Sequence, residues 1–368
     1  MSTPTTNAMP PATGRRALVF HPLTVAAVEQ EAADSVVVTL EVPPEQIETF
    51  AFRPGQHITV RRPAGGVGET RRSYSLCGPP GAPLRIGVRR VAGGNVSNWL
   101  ADEIGPGDRV DVLPPLGSFV LSPATGRRRR LTFVAAGSGI TPILAMVTAV
   151  LEDDPHTDVA VWFLNWTIAD AMFVEDLQAL KSRHLGRLQL TFCCTREQRD
   201  NDPLGRRPTR DDLRRLRDYG VLPDADDWYL CDPAALLDQF DDVLGEAGVD
   251  PTRVHRELFN TSGVATSAPI SSPRQQGATL ATVTFLGRST AVTVAPGATL
   301  LDAARTVRAD LPYSCEAGVC STCRALVRSG EIASPDCPGL TAEERADGFV
   351  LTCQAVAASD AVDLDFDV

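Results

Sequence analysis

The chain has 368 residues, 46 acidic against 35 basic for a formal net charge of −11, and is 43% hydrophobic. That length suits two or three domains with cores of their own, and the acidic balance argues against general nucleic-acid binding. No apolar stretch reaches the ~20 residues a membrane-spanning helix needs, so neither nucleic acid nor membrane is an expected partner.

Residues 1–17 are Pro/Thr/Ala-rich and expected to be disordered. Arg15-Arg16 would suit a twin-arginine leader, but His21-Pro22 interrupts the short apolar run behind it, so no leader is expected. Residues 18–125 read as a small antiparallel β-barrel, with short strands at 36–42, 57–61, 84–89 and 108–112 between Gly/Pro turns. Two motifs lie within it: Arg71-Arg72-Ser73-Tyr74-Ser75-Leu76-Cys77, and a stretch from Val88-Arg89-Arg90 through Gly93-Gly94-Asn95-Val96-Ser97. The second opens a helix, whose free N–H groups and dipole suit a phosphate.

Residues 126–260 alternate strand and helix. A strand at 129–135 meets a tight turn, Ala136-Gly137-Ser138-Gly139-Ile140, and then a helix from Thr141-Pro142, with Thr141 as expected N-cap and Pro at the first position. A strand–Gly-x-Gly–helix unit places a dinucleotide phosphate at the helix N-terminus, although the third glycine of the usual fingerprint is missing. Further strands at 159–164, 188–193, 228–231 and 254–257, with helices near 171–180 and 234–245, complete a small parallel sheet covered on both faces. Residues 261–277 are polar and Ser/Pro/Gly-rich, as in a semi-flexible tether or an inert spacer.

Residues 278–368 read as a hairpin around Gly287-Arg288, a helix over 299–309, and a cysteine loop. Cys315, Cys320 and Cys323 stand in the order Cys-x4-Cys-x2-Cys, with Cys353 far downstream. That spacing is the plant-type pattern in which four thiolates hold a [2Fe–2S] cluster. Zinc is the first rival and disulfides the second, but structural zinc sites usually pair two short knuckles, and no second knuckle or His pair lies nearby. Cys337, between the third and fourth ligands, sits in an Asp336-Cys337-Pro338-Gly339 turn and is not expected to ligate. This segment carries twelve acidic against six basic residues, a face suited either to solubility or to docking a basic partner.

In this order the segments resemble the ferredoxin–NADP reductase superfamily joined to a C-terminal β-grasp ferredoxin domain. The layout is that of oxygenase reductase components, and Arg-x-Tyr-Ser-Leu, Ser-Asn-Trp-Leu and Leu-Thr-Cys-Gln are similar to the phenylacetyl-CoA epoxidase reductase and 3-ketosteroid 9α-hydroxylase reductase group. The resemblance implies a multidomain fold: antiparallel β-barrel flavin domain, α/β nicotinamide-binding domain and α+β β-grasp ferredoxin domain. It also implies FAD, rather than the FMN of phthalate-type reductases.

By the same resemblance, Arg72 pairs with the flavin pyrophosphate, Tyr74 lies along the ring, and Ser75 offers a hydrogen bond near its reactive nitrogen. Ser73, Val88, Arg89, Arg90, Gly94, Asn95, Val96 and Ser97 complete the flavin site. Gly137, Ser138, Gly139, Thr141 and Pro142 face the nicotinamide nucleotide. Cys231-Asp232-Pro233 takes the place of the family's Cys-Gly-Pro, and Glu257-Leu258-Phe259 that of its acidic-aromatic segment. Ser75, Cys231 and Glu257 are the implied catalytic residues. Asp232 in place of glycine departs from the pattern at the nicotinamide approach. Arg196, in Thr195-Arg196-Glu197, resembles NADPH-using relatives, while Asn165-Trp166-Thr167 offers no cation, so NADPH is favoured and NADH stays open.

The implied function is electron transfer from NAD(P)H through FAD and the cluster to a separate terminal oxygenase or hydroxylase of aromatic-CoA or steroid type, by a monomer forming a transient complex. Two other readings are a stand-alone reductase of a small acceptor, and an electron carrier with a degenerate nicotinamide site. With four of nine cysteines committed to iron, the other five read as buried or free thiols of a reducing, cytoplasmic setting. The run Arg127–Arg130 reads as a solvated loop, and the five histidines show no ligand spacing.

Overall fold

The computed structural model describes residues 18–63, 69–124, 126–197, 204–231, 233–259 and 278–368. The expectations for residues 1–17, for the tether 261–277 and for Asp232 lie outside the described residues.

The first unit comprises β1 (His21–Ala32), β2 (Ser35–Glu41), β3 (His57–Arg62), β4 (Thr70–Ser75), β5 (Leu84–Arg89), α1 (Asn95–Asp102) and β6 (Arg109–Leu116). Its sheet runs β4-β3-β6-β1-β2-β5 with antiparallel pairings, and a bridge between Leu76 and Ile86 joins the two edges into a barrel. Alternation sets the core: Val36, Val38 and Leu40 of β2 point inward and lie opposite Val88, Ile86 and Leu84 of β5. The twelve-residue β1 is unanticipated, because shifts in register between Val25 and Ala27 and between Gln30 and Ala32 break its period of two.

The second unit is β7 (Arg129–Ala136), α2 (Ile140–Asp153), β8 (Thr157–Asn165), α3 (Val174–Arg183), β9 (Leu188–Cys194), α4 (Arg210–Asp218), β10 (Asp227–Cys231), α5 (Ala234–Glu246) and β11 (Val254–Glu257). The sheet order is β11-β10-β7-β8-β9, all parallel. Ile143 and Val147 of α2 and Leu177 and Leu180 of α3 bury one face. Leu213 and Leu216 of α4 and Leu237 and Phe240 of α5 bury the other.

Two local expectations need correction, and one helix was not expected. The α2 cap is Gly139, with no side-chain cap bond, and Thr141 Oγ1 donates instead to the Ser138 carbonyl at 2.9 Å. The helix near residue 171 begins at Val174, because Phe173 adopts a left-handed φ of 60° and blocks helical geometry before it. α4 escaped sequence reading because it is nearly all charged, yet a Thr209–Asp212 capping box starts it and two leucines anchor it.

The third unit holds β12 (Thr279–Phe285), β13 (Arg288–Val294), α6 (Leu300–Arg305), β14 (Arg324–Ser329), β15 (Ile332–Ala333), α7 (Ala342–Ala346), β16 (Phe349–Leu351), β17 (Val356–Ala357) and β18 (Ala361–Asp365). Its main sheet is β13-β12-β18-β14-β16, with β12 and β18 parallel. The hairpin turns on Leu286-Gly287, one residue before the expected centre, with both residues at positive φ as a two-residue turn of this hand requires. The Asp367 carboxylate accepts both their N–H groups, at 2.6 and 2.8 Å. α6 is shorter than expected, ending at Arg305.

The units join in different ways. Val37, Cys77 and Phe119 of the barrel belong to the same hydrophobic cluster as α2 and α3. The third unit keeps separate cores and also meets the barrel through polar side chains of β4.

Candidate redox site

A cavity of about 1290 Å³ lies where the three units meet. That exceeds the roughly 300–1,000 Å³ typical of a site for one drug-sized ligand. Its barrel wall is β4, with Arg72, Ser73, Tyr74 and Ser75, together with Arg89 of β5 and Gly94, Asn95, Val96 and Ser97 at the start of α1. The α1 N-terminus has no side-chain cap, so its N–H groups are available to an anion. Gly94 lets the chain pack closely there: a Cβ would lie 2.4 Å from Ser97 Oγ and 3.0 Å from the Val91 carbonyl, so one or both would have to shift. The exposed Arg72 donates one bond to its neighbour's carbonyl at 2.7 Å, which leaves the rest of its fork for a pyrophosphate.

The opposite wall collects the C-terminal ends of the parallel strands, where open α/β sheets bind ligands. Gly137, Ser138 and Thr141 follow β7, Asn165 and Trp166 stand at the end of β8, Thr195 and Arg196 follow β9, and Pro233 follows β10. The chain leaves β7 toward β8 on one side and β10 lies on the other, so the crevice is at the switch point of the sheet. The Arg196 guanidinium stacks 4.1 Å from the exposed Trp166 ring, and Arg207 lines the same cavity.

Ser75, Cys231 and Glu257 converge between these walls. Ser75 Oγ donates to Glu257 Oε2 at 3.4 Å, and Cys231 Sγ lies 3.9 Å from the same oxygen. Burial pushes the Glu257 carboxyl up to about 8, against the lowering effect of those two contacts, so it holds its proton at neutral pH. Phe259 lines the cavity beyond it.

The cysteine loop closes the remaining side, with Cys315, Val319 and Cys320 in the wall. Three residues of the loop, Glu316, Gly318 and Ser321, take positive φ, which turns the chain away from helix and leaves amides facing sulfur. The Ala317 N–H donates to Cys315 Sγ at 3.4 Å and the Cys315 N–H to Cys320 Sγ at 3.5 Å. A Cβ on Gly318 would meet Cys337 Sγ at 2.9 Å. The thiols fall into two interacting pairs, Cys315 with Cys320 and Cys323 with Cys353. The Cys320 thiol and the amides of Ala317, Val319 and Cys320 pull the Cys315 thiol below its ordinary value. No three His, Cys, Asp or Glu side chains among the described residues could hold a single metal ion. Two pairs of thiols with amide donors suit two bridged irons, each taking two thiolates, better than one tetrahedral zinc.

Some expected residues stay out of the cavity. The Val88 side chain is fully buried in the barrel core, and Arg90 pairs with Asp102 at 2.9 Å. Gly139 and Pro142 are buried at the start of α2, and Cys323 and Cys353 lie behind the loop. Conversely, sequence reading missed His57, Trp166 and Arg207 as lining residues. Burial pushes the His57 imidazole down to about 4, so it is neutral, and it contacts the Cys320 backbone. For Trp166 the signal was available, since it directly follows a strand of a parallel sheet.

Three family models match in tandem: an oxidoreductase FAD-binding domain over 22–121, an oxidoreductase NAD-binding domain over 133–241, and a 2Fe-2S iron-sulfur cluster binding domain over 283–358. The chain is 36% identical to a subunit of the 1,2-phenylacetyl-CoA epoxidase of Escherichia coli (strain K12), over 95% of this chain and 98% of that one. It is 32% identical to the ferredoxin reductase component of 3-ketosteroid-9-alpha-monooxygenase from Rhodococcus rhodochrous, over 94% and 96%. Among solved structures, phthalate dioxygenase reductase superposes with a TM-score of 0.57 at 24% identity, covering 94% of this chain and 98% of that chain, a likeness of fold. No helix among the described residues is long and apolar enough to cross a membrane. The chain therefore belongs to the ferredoxin–NADP reductase superfamily, among the oxygenase reductase components with a C-terminal plant-type ferredoxin domain, and is an NAD(P)H-dependent oxidoreductase of FAD and a [2Fe–2S] cluster.

Proposed function

We propose that this protein is the reductase component of a multicomponent oxygenase acting on an aromatic acyl-CoA or a steroid, working as a monomer that docks its oxygenase transiently. The observation that carries this reading is the shared cavity: the flavin wall, the strand ends of the nicotinamide unit and the Cys315–Cys320 side of the cluster loop all face it. When bound, FAD supplies the conversion of a two-electron hydride into the single electrons a cluster accepts.

The chain's own residues bind, orient and hold a proton. Arg72 and the α1 N-terminus take the flavin pyrophosphate, and Tyr74 packs along the ring. Gly137, Ser138 and Thr141 take the nicotinamide nucleotide's pyrophosphate. Cys315, Cys320, Cys323 and Cys353 ligate the cluster. Cys231 packs beside the carboxyl where the nicotinamide approaches.

Ser75 and Glu257 hold a proton at Oε2. A carboxyl with its pKa raised to about 8 stays protonated until the pH passes that value. Ferricyanide reduction should therefore decline as pH rises through about 8, and Glu257→Gln should flatten that decline; an identical bend in both proteins would remove Glu257 from the role. The sign for stability is the same. Between the ordinary carboxyl value near 4.3 and about 8 the folded state binds the extra proton, so this group's contribution falls as pH rises.

NADPH is the favoured donor, because Arg196, stacked on Trp166, and Arg207 offer two guanidinium groups to a 2′-phosphate. Arg196→Ala together with Arg207→Ala should raise KM for NADPH by about tenfold or more, the scale of one lost charge-assisted contact, and leave KM for NADH within about twofold. An equal rise for both donors would refute the preference.

A further inference from the structure

Arg71 precedes the flavin-wall residues yet takes no part in that wall. The residue is 2% exposed, unusual for arginine, and it is buried against the ferredoxin unit. Nη1 donates to the Leu311 carbonyl at 2.8 Å and Nη2 to the Ala309 carbonyl at 3.4 Å. Nε pairs with Glu69 at 2.6 Å, and the guanidinium lies 3.9 Å from the Tyr313 ring centre and 4.8 Å from that of Phe20. Two residues along the edge strand β4, on the same face, Ser73 Oγ bonds Ser314 Oγ at 2.9 Å.

The segment that receives these contacts is itself fastened to its own unit. The buried Arg308 pairs with Asp310 at 2.8 Å and donates to the Phe285 and Arg288 carbonyls. Arg305 also stacks on Tyr313, 3.9 Å from its ring centre, and bonds its hydroxyl. Cys315 follows Ser314 directly, and Arg72 follows Arg71 directly. A rigid connection therefore runs from the flavin wall to the first cluster cysteine.

We propose that Arg71 is the latch that docks the ferredoxin unit against the flavin barrel and so sets the rate of electron transfer from flavin to cluster. Arg71 is a positioning residue: it touches neither cofactor site, and it acts by fixing the gap between them, across which electron tunnelling falls steeply with distance. The fork is suited to this because it satisfies two backbone carbonyls, a carboxylate and an aromatic face at once. Lysine, with one compact ammonium, cannot.

The inference rests on the electron path proposed above, and rapid anaerobic mixing of the full-length holoprotein with NADPH separates the two. Flavin bleaching tests the path's entry, and cluster bleaching tests the latch. In Arg71→Ala and Arg71→Lys the flavin phase should keep its wild-type rate while the cluster phase slows by about tenfold or more, the equilibrium scale of losing bonds from a charged donor in a buried site. Small-angle scattering should show an increased radius of gyration in both variants, a readout independent of turnover. FAD and iron content should be unchanged, which a purely structural role for Arg71 would not leave so. If Arg71→Ala loses its cofactors, Arg71→Lys decides. A lysine variant with full cofactor content, wild-type cluster bleaching and unchanged scattering overturns the proposal.

Discussion

Cys353→Ser is expected to abolish the cluster, while Cys337→Ser retains both irons and both acid-labile sulfides. Cys353 is tied to Cys323 by structure on both sides: the Thr352 N–H and Oγ1 both donate to the Cys323 carbonyl, at 3.1 and 2.8 Å, and Leu351 of β16 pairs with Arg324 of β14. Their thiols interact with one another. Cys337 has a different setting. Its carbonyl is held by Leu340 and Arg345 in a turn, its sulfur packs against the space over Gly318, and burial pushes its thiol up to about 11. It fills the floor beneath the loop as a small apolar group. Iron and sulfide analysis with visible absorption reads the outcome directly, and retention of the cluster in Cys353→Ser with loss in Cys337→Ser would reverse the ligand assignment.

Truncation near Asn260 is expected to separate the two halves of the activity. The barrel and the α/β unit share a hydrophobic cluster, whereas the ferredoxin unit has cores of its own. Removing residues 261–368 should leave FAD bound by Arg72 and the α1 N-terminus, and ferricyanide reduction within a few-fold of the intact rate. Support of an oxygenase should vanish, because the four cysteines and the acidic surface leave together. Oxygenase turnover by the truncated protein at the rate of the full chain would mean the ferredoxin unit has another role.

Much of this was legible in sequence because the chemistry demands unusual residues. The 2Fe-2S domain is legible from cysteine spacing alone, and β5 and β11 coincide with the expected strands at Leu84–Arg89 and Val254–Glu257. Signals that depend on regular alternation or on apolar periodicity failed where these were broken. Bulges concealed β1, and charge concealed α4. Tertiary contacts were the least visible. No sequence signal marks Arg71, and only the folded chain brings the carbonyls of Ala309 and Leu311 to it across 240 residues of sequence. His57 likewise reads as a strand histidine until the Cys320 loop lies against it.

Hydride entering at the flavin and electrons leaving through the cluster of one chain is a sequence that spectroscopy can follow. Anaerobic addition of NADPH to the intact holoprotein, followed across the flavin and iron–sulfur absorption bands without any external acceptor, tests it most directly. Both bands should bleach, the flavin first and the cluster after it. Bleaching of the flavin alone, with the cluster remaining oxidised at excess NADPH until an external reductant is added, would contradict it.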